Sequence, residues 1–332
     1  MGIKKTAARA IGALGGAALF EALAPHRARV LFYHGVSKEP LVHPVVQANQ
    51  ITFDAFRRQI DYFAKRFRFL TPDEFSERFA SKTLGSKDLL LTFDDGYVNT
   101  AEVVAPYLFE KKIPFLVFMS PHLTETGGRI PSYYAFVAAY DPALAALDLE
   151  TTQERLPLGT EEERFSAAMR LLEHIRALDE TKLATLLDEL NSVMSSDSRE
   201  ESWERYSSEA LMTWSQAESL AREGAVLGSH CFGHTILHAG QSDSEVDRQL
   251  ESSRAAIAEH IGACDYMSYP NGSREYVSPY AERRAGELYK TCFGVTGTQV
   301  KSTDVASFVS RVGLFGDFYG SLSVFSILSM LR

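Results

Sequence analysis

Two rhythms of apolar residues alternate along this chain. Short, nearly unbroken runs occur at Arg29 to Tyr33 (RVLFY), Leu89 to Phe93 (LLLTF), Pro114 to Phe118, Ala225 to Gly228, Tyr266 to Tyr269 and Thr291 to Thr296. A run apolar at successive positions suits a strand buried on both faces, as in a parallel sheet. Between the runs the spacing becomes helical. Phe53, Phe56, Ile60, Phe63 and Phe67 recur every three or four residues. Further helices are predicted from Pro72 to Phe79 behind Thr71-Pro72, from after Tyr97 to about Lys111, from Thr213 to Gly224, from Ser244 to Ile261 and from Pro279 to Gly286. Thr, Ser or Pro at a helix start and Gly at its end are the ordinary boundary signals. Strand and helix in regular alternation predict six to eight parallel βα units, an α/β chain closing into a (β/α) barrel.

The alternation breaks from residue 128 to 206. Thr160-Glu161-Glu162-Glu163 has the form of a capping box, Phe165, Met169, Leu172 and Ile175 follow at helical spacing, and Leu183, Leu186, Leu187, Leu190 and Val193 form a second stripe. This stretch predicts a helical insertion between barrel segments 27–127 and 207–315, serving as a lid or packing element rather than a separate binding module. Residues 1–26 read as an N-terminal apolar helix or targeting segment, with Lys4, Lys5 and Arg9 before the apolar run Ile11 to Ala24. Glu21 inside that run and Pro25 after Ala22-Leu23-Ala24 argue against signal-peptide cleavage, and the run is too short to span a bilayer. Residues 316–332 form an apolar C-terminal tail. A cytoplasmic location with peripheral membrane contact through these two ends is the expectation, and export is the alternative.

Composition narrows the function classes. The 332 residues are 45% apolar and carry a net charge of -9, which fits a folded chain and gives no electrostatic basis for nucleic-acid binding. Three cysteines, Cys231, Cys264 and Cys292, cannot all pair within the chain and form no CxxC, so a disulfide framework is not expected.

The candidate chemistry sits where predicted strands end, which in such barrels is the catalytic face. These places are His34, Asp94-Asp95, His230 and Tyr269-Pro270-Asn271-Gly272. His230 and His234 are four apart, a spacing that puts both imidazoles on one side of a helix or tight turn, where they can share a metal. By itself HxxxH more often marks surface or core histidines. Two adjacent carboxylates after an apolar strand are costly to bury without a cation or donors. Gly96 allows a sharp turn, so one of them can bind metal while the other stays free as a base.

Together, Thr92-Phe93-Asp94-Asp95-Gly96-Tyr97, the approach Leu211-Met212-Thr213-Trp214, the segment Gly228-Ser229-His230 through His234, and Ser268-Tyr269-Pro270-Asn271-Gly272 resemble the polysaccharide deacetylase (NodB-homology) family. Arg29 to Val36 resembles the opening strand of a subgroup with a Tyr-His pair. The resemblance covers about residues 29–128 and 206–312 and leaves the insertion outside. It implies a distorted barrel of fewer than eight strands and a carbohydrate de-N-acetylase. It also implies a divalent metal, zinc by default, on Asp95, His230 and His234, with Asp94 as general base and the Tyr97 N–H toward the oxyanion. Tyr269, Pro270, Asn271 and Arg311 are the further substrate-side candidates. Two departures stand out. Ser268 occupies the place where the family's third motif often has Arg, and Arg311 is the candidate replacement. No histidine follows His260, so the late catalytic histidine is missing and the general acid is open. His34 is the first choice for it, with bracing of the barrel mouth as the alternative role, while His238 and His260 read as bystanders.

The implied partner is an N-acetylated glycan, either a polymer or a glycan precursor. A second reading keeps the chemistry and takes a lipid-linked or nucleotide-linked sugar, or a formamide. A third, an inactive carbohydrate-binding barrel, is opposed by the intact set Asp94, Asp95, His230 and His234.

Overall fold

The computed structural model describes residues 27–314. The segments 1–26 and 316–332, expected to be apolar helix and tail, lie outside the described residues. Seven parallel strands form the barrel: β1 (Arg29–Tyr33), β2 (Asp88–Phe93), β3 (Leu116–Met119), β4 (Val226–Ser229), β5 (Tyr266–Ser268), β6 (Thr291–Val295) and β7 (Val309–Gly313). Each pairs with the next in the chain, and β1 pairs with both β2 and β7, which closes the ring. The closing register Arg29↔Leu89 through Tyr33↔Phe93 is long, whereas β1 meets β7 only at Leu31↔Val312 and Phe32↔Gly313. A seven-strand ring agrees with the expected distorted barrel. The short strand Arg68–Phe69 pairs with the start of β2 beside the ring.

Alternation along the strands sorts side chains into two cores. Val30, Leu90, Leu116, Phe118, Tyr266, Phe293 and Val309 gather in one cluster within the ring. Leu31, Tyr33, Leu89, Leu91, Phe93, Val117 and Met267 face the surrounding helices with Phe56, Ile60 and Phe63. Period-two alternation therefore persists in β2 although all six of its residues are buried, because helices cover the outer face and side chains fill the inner one. Helix Pro72–Ala80 brings Phe75 into the inner cluster. Its Thr71–Glu74 capping box fixes where it begins.

The insertion has its own core. Helices Pro131–Tyr140, Glu161–Ala177 and Glu180–Val193 bury Tyr133, Val137, Ala167, Leu171, Leu186 and Leu190 against one another. The capping box at Thr160–Glu163 is present. The insertion departs from the all-helical expectation at an antiparallel hairpin, Ala146–Leu149 with Glu154–Pro157. Leu147 and Leu149 point inward and Asp148 outward, a strand alternation too short to stand out between strongly helical stripes. Thr235 donates to Glu180 at 2.6 Å and the Glu180 N–H donates to Gln241 at 3.2 Å, tying the insertion to the loop that follows His234.

β4 delivers His230 and allows no extra atom at Gly228. A Cβ there would lie 2.7 Å from the Tyr266 carbonyl oxygen and 2.9 Å from the Phe118 ring. Gly228→Ala is expected to destabilise the fold by about 1–3 kcal/mol, the usual range for overpacking. Urea unfolding of the metal-free chain measures this, and a change under about 0.5 kcal/mol would show that β4 moves aside at no cost.

Candidate active site

Asp94 is the next inward step after Leu90 and Thr92 on β2, so its carboxylate enters the top of the barrel interior. There Arg311, on β7, donates to both of its oxygens at 2.7 and 2.8 Å. Arg311 is fully buried, and its guanidinium lies 4.5 Å from the Phe32 ring centroid and 5.5 Å from that of Phe118. It also donates to the Thr92 hydroxyl, which in turn donates to the Leu31 carbonyl. Burial pushes the Asp94 carboxyl upward in pKa, but the Arg311 charge, His230 and the Arg311 hydrogen bonds outweigh it and leave the group below its ordinary value.

A strand continued through Asp95 would turn that side chain away from Asp94. Instead Asp95 and Gly96 both take the left-handed conformation, with φ of +70° and +69°. The turn brings Asp95 round to the histidines. A Cβ at Gly96 would stand 2.9 Å from Cβ of Met119, so the turn also lies tight against β3. The two neighbouring carboxylates thereby acquire separate surroundings, one paired with a cation and one with imidazoles.

His230 follows the end of β4, where its N–H donates to the Met119 carbonyl. The stretch from His230 to His234 is a tight turn and not a helix, with Cys231 and His234 left-handed at φ +61° and +60°. Nε2 of His230 and Nε2 of His234 lie 3.3 and 3.1 Å from the same Asp95 oxygen, Oδ1. One ligand atom from each of the three residues lies within 4.8 Å of the others. Ligands bonded at about 2.0–2.1 Å and set at tetrahedral angles stand about 3.3 Å apart, so the trio fits a zinc-like ion. The donor set, two imidazoles and one carboxylate, leaves coordination positions open for water and substrate. Nδ1 of His230 faces the Ser268 carbonyl at 2.8 Å, which holds the proton on Nδ1 and presents Nε2 to the site. Burial pushes Asp95 upward, but His34, His230 and His234 together bring it well below the ordinary carboxylate range. Burial alone would lower His230, yet its hydrogen bond to Asp95 and the two aspartate charges raise it.

The other sequence candidates are placed as follows. His34, directly after β1, lines the same cavity as Asp94, Asp95, His230 and His234, with its ring edge-on to Phe32 at 5.5 Å. Burial lowers its pKa in spite of the opposing pull of Asp95 and Asp94. Tyr97 bridges to Leu211 through the hydrogen bonds of its neighbours, Met212 N–H to the Gly96 carbonyl and Val98 N–H to the Ala210 carbonyl. Its own N–H is therefore turned to the side away from Leu211. Tyr269 and Asn271 line the cavity, but the Tyr269 hydroxyl donates to the Ser307 carbonyl at 2.8 Å and stacks on Phe308, so it is tied down. Pro270 is buried beside them and does not line the cavity. His238 meets the Leu178 carbonyl and His260 pairs with Glu218 and stacks on Trp214, both outside the cavity lining.

Ser268 is the residue that reading the sequence undervalued. Its hydroxyl donates to Asp94 at 3.3 Å and lies 2.7 Å from Nδ1 of His230, so one side chain touches both the base and a ligand. The only signal in the sequence was its place at the head of the third motif. Asn49, which also lines the cavity, came with no signal at all. Glu209, behind Tyr97, is buried, and burial pushes its carboxyl up to about 7.

Comparison with known proteins agrees with this geometry. Residues 193–288 match the family model described as polysaccharide deacetylase. No curated protein sequence matches the chain. Among solved structures, the chain is similar to the Streptococcus pyogenes deacetylase PplD in complex with acetate, at 15% identity and a TM-score of 0.58, over 93% of this chain and 99% of that one. It is also similar to IcaB from Ammonifex degensii, at 19% identity and a TM-score of 0.55, over 92% and 98% of the two chains. At these identities the likeness establishes the fold, and the family model adds independent support for the resemblance read from the motifs.

Removing Arg311 would leave Asp94 buried without its cation. Arg311→Leu is expected to cost about 3–5 kcal/mol at neutral pH. In the parent chain the lowered pKa of Asp94 contributes stability above the ordinary carboxylate pKa of about 3.9, lost as pH falls through the lower folded value. In the variant, burial without the partner raises the folded pKa, so the deficit shrinks as the pH is lowered and Asp94 takes up a proton. Denaturant unfolding of both metal-free chains across pH 3–7 checks this, and a deficit independent of pH would separate Arg311 from the ionisation of Asp94.

Proposed function

We propose that this chain, built on the polysaccharide deacetylase barrel, is a metal-dependent hydrolase of carbon–nitrogen bonds that removes N-acetyl groups from an amino-sugar glycan. The observation that carries the reading is the convergence of Asp95, His230 and His234 on one point beside a second, separately held carboxylate, Asp94. A binding module has no use for a buried carboxylate kept ionised next to a metal-ligand trio. The acetate bound to the Streptococcus protein is the small product that such a reaction releases.

When bound to Asp95, His230 and His234, a divalent ion, zinc by default, supplies Lewis acidity toward the acetamide carbonyl and makes water easier to deprotonate. Asp94 accepts the proton of the attacking water, and Arg311 holds it ionised and oriented until then. Ser268 keeps Asp94 and His230 in register. The Tyr97 N–H is the chain's own donor toward the developing oxyanion. In this reading protonated His34 gives its proton to the departing amine, and burial, which lowers its pKa, makes it the readier donor.

Two substitutions separate the base from the metal ligands. Asp94→Asn is expected to lower kcat on the order of a hundredfold or more while bound zinc stays at one per chain. His230→Ala is expected to lose both zinc and activity. Retention of near-normal kcat by Asp94→Asn would remove it as the base. Because His230 is protonated more readily in the metal-free site, zinc uptake releases protons and weakens as the pH falls, which competition titrations at pH 6 and 8 read directly.

His34 is tested on its own. His34→Gln is expected to depress kcat, leave zinc content unchanged and abolish the alkaline limb of the pH–rate profile. An unaltered alkaline limb assigns His34 to bracing the barrel mouth and leaves protonated Asp94 as the donor.

A further inference from the structure

The cavity over Asp95, His230 and His234 has a volume of about 450 Å³ and is built of two unlike halves. Its barrel side carries the polar groups His34, Asp94, Asp95, His230 and His234, beside the apolar Phe32, Ile236 and Val295. Its wall comes from the insertion and is aliphatic and aromatic: Ile130, Phe136, Met169, Leu172, Ile175 and Leu183. Met169 and Leu172 are half-buried and pack at the edge of the insertion core, so among the described residues they present uncovered apolar surface to the cavity. A polysaccharide passing the metal would find few partners for its hydroxyls along this wall, and desolvating them there is unfavourable.

One charge interrupts the wall. Arg176, next to Ile175 on helix Glu161–Ala177, lines the cavity and, among the described residues, has no hydrogen-bond or ion-pair partner. The other arginines of that helix are engaged. Arg164 donates to the carbonyls of Ala139, Asp141 and Leu144, and Arg170 pairs with Glu154 and Glu173. A guanidinium left unpaired beside an apolar wall is suited to a phosphate, which it can bind through two parallel hydrogen bonds.

We infer that the substrate of this site is a lipid-phosphate-linked N-acetylated amino sugar, with the acetamide over the ligand trio, the phosphate on Arg176 and the lipid chain along the insertion wall. The inference rests on the deacetylase reading above and narrows its substrate class. A nucleotide-linked sugar shares the phosphate but would bring a polar base and ribose to an aliphatic surface, so the wall favours the lipid.

Calorimetric titration of the full, zinc-loaded chain tests it with defined probes: N-acetylglucosamine 1-phosphate, its methyl and decyl phosphodiesters, UDP-N-acetylglucosamine and chitopentaose. Each methylene that becomes buried is worth about a fourfold gain in affinity, so the decyl phosphodiester is expected to bind at least thirtyfold more tightly than the methyl one. Arg176→Gln is expected to weaken both phosphodiesters about tenfold and keep the decyl-to-methyl ratio. Met169→Gln combined with Leu172→Gln is expected to bring that ratio toward one, with circular dichroism confirming the fold. Equal binding of the two phosphodiesters, tighter binding of the UDP-sugar, tightest binding of chitopentaose or failure of the decyl probe to bind each overturns the inference. Acetate release from the same probes reports on the deacetylase reading separately, since the order of binding does not depend on turnover.

Discussion

A carboxylate in a barrel interior must find a cation or give up its charge, and the ion pair of Asp94 with Arg311 is how this protein meets that constraint. The pair joins β2 to β7, strands that do not pair with each other and lie on either side of β1. Below it the inner cluster is apolar, and above it the cavity opens to Asp95 and the histidines. Phe32 and Phe118 flank the guanidinium, so a fully buried arginine gains contact with aromatic faces in place of water. Geometry at the mouth depends on this layer, because Asp94 is held between Arg311 and Ser268, and Ser268 in turn orients His230.

The second constraint is conformational. Asp95, Cys231, His234 and Asn271 all adopt left-handed backbone, an uncommon conformation for residues with side chains. Three of the four line the cavity. In each case the strand has just ended, and the turn re-aims a side chain that regular alternation would have sent elsewhere. The cost of order 1 kcal/mol or more per residue is offset by the packing around them, with Cys231 wholly buried and Gly96 held tight against β3. The insertion is a third layer, with a core of its own, and its contribution to the site is the apolar wall and Arg176 rather than any group that touches the reacting atoms.

Particular elements show why some features were readable from the chain and others were not. The runs RVLFY and LLLTF announced strands because burial on both faces demands apolar residues at every position, and both lie within a residue of where they were expected. The strand expected at Pro114 to Phe118 begins two residues later and ends one later, at Leu116–Met119, since a proline at the edge of an apolar run belongs to the turn before it. The hairpin at Ala146–Leu149 and Glu154–Pro157 was hidden because four alternating residues carry too little periodicity beside two long helical stripes. Ser268 looked like a missing arginine, and its bridging position depends on two strands that meet only in the folded ring.

The sequence by itself determined the class of fold, the strand ends where chemistry gathers and the residue types for metal and base, because burial patterns and side-chain chemistry are local properties written one residue at a time. The motifs implied which aspartate meets the histidines and which is the base, and the tertiary structure supplies the physical reason, a left-handed turn at Asp95 and the closure of β1 on β7. It also places Arg311, the candidate the sequence offered and 217 residues away in the chain, against both oxygens of Asp94. It also decided that, among the described residues, the insertion lays an apolar wall carrying the unpaired Arg176 over the site, because which face of a helical stripe is left uncovered depends on what packs against the other.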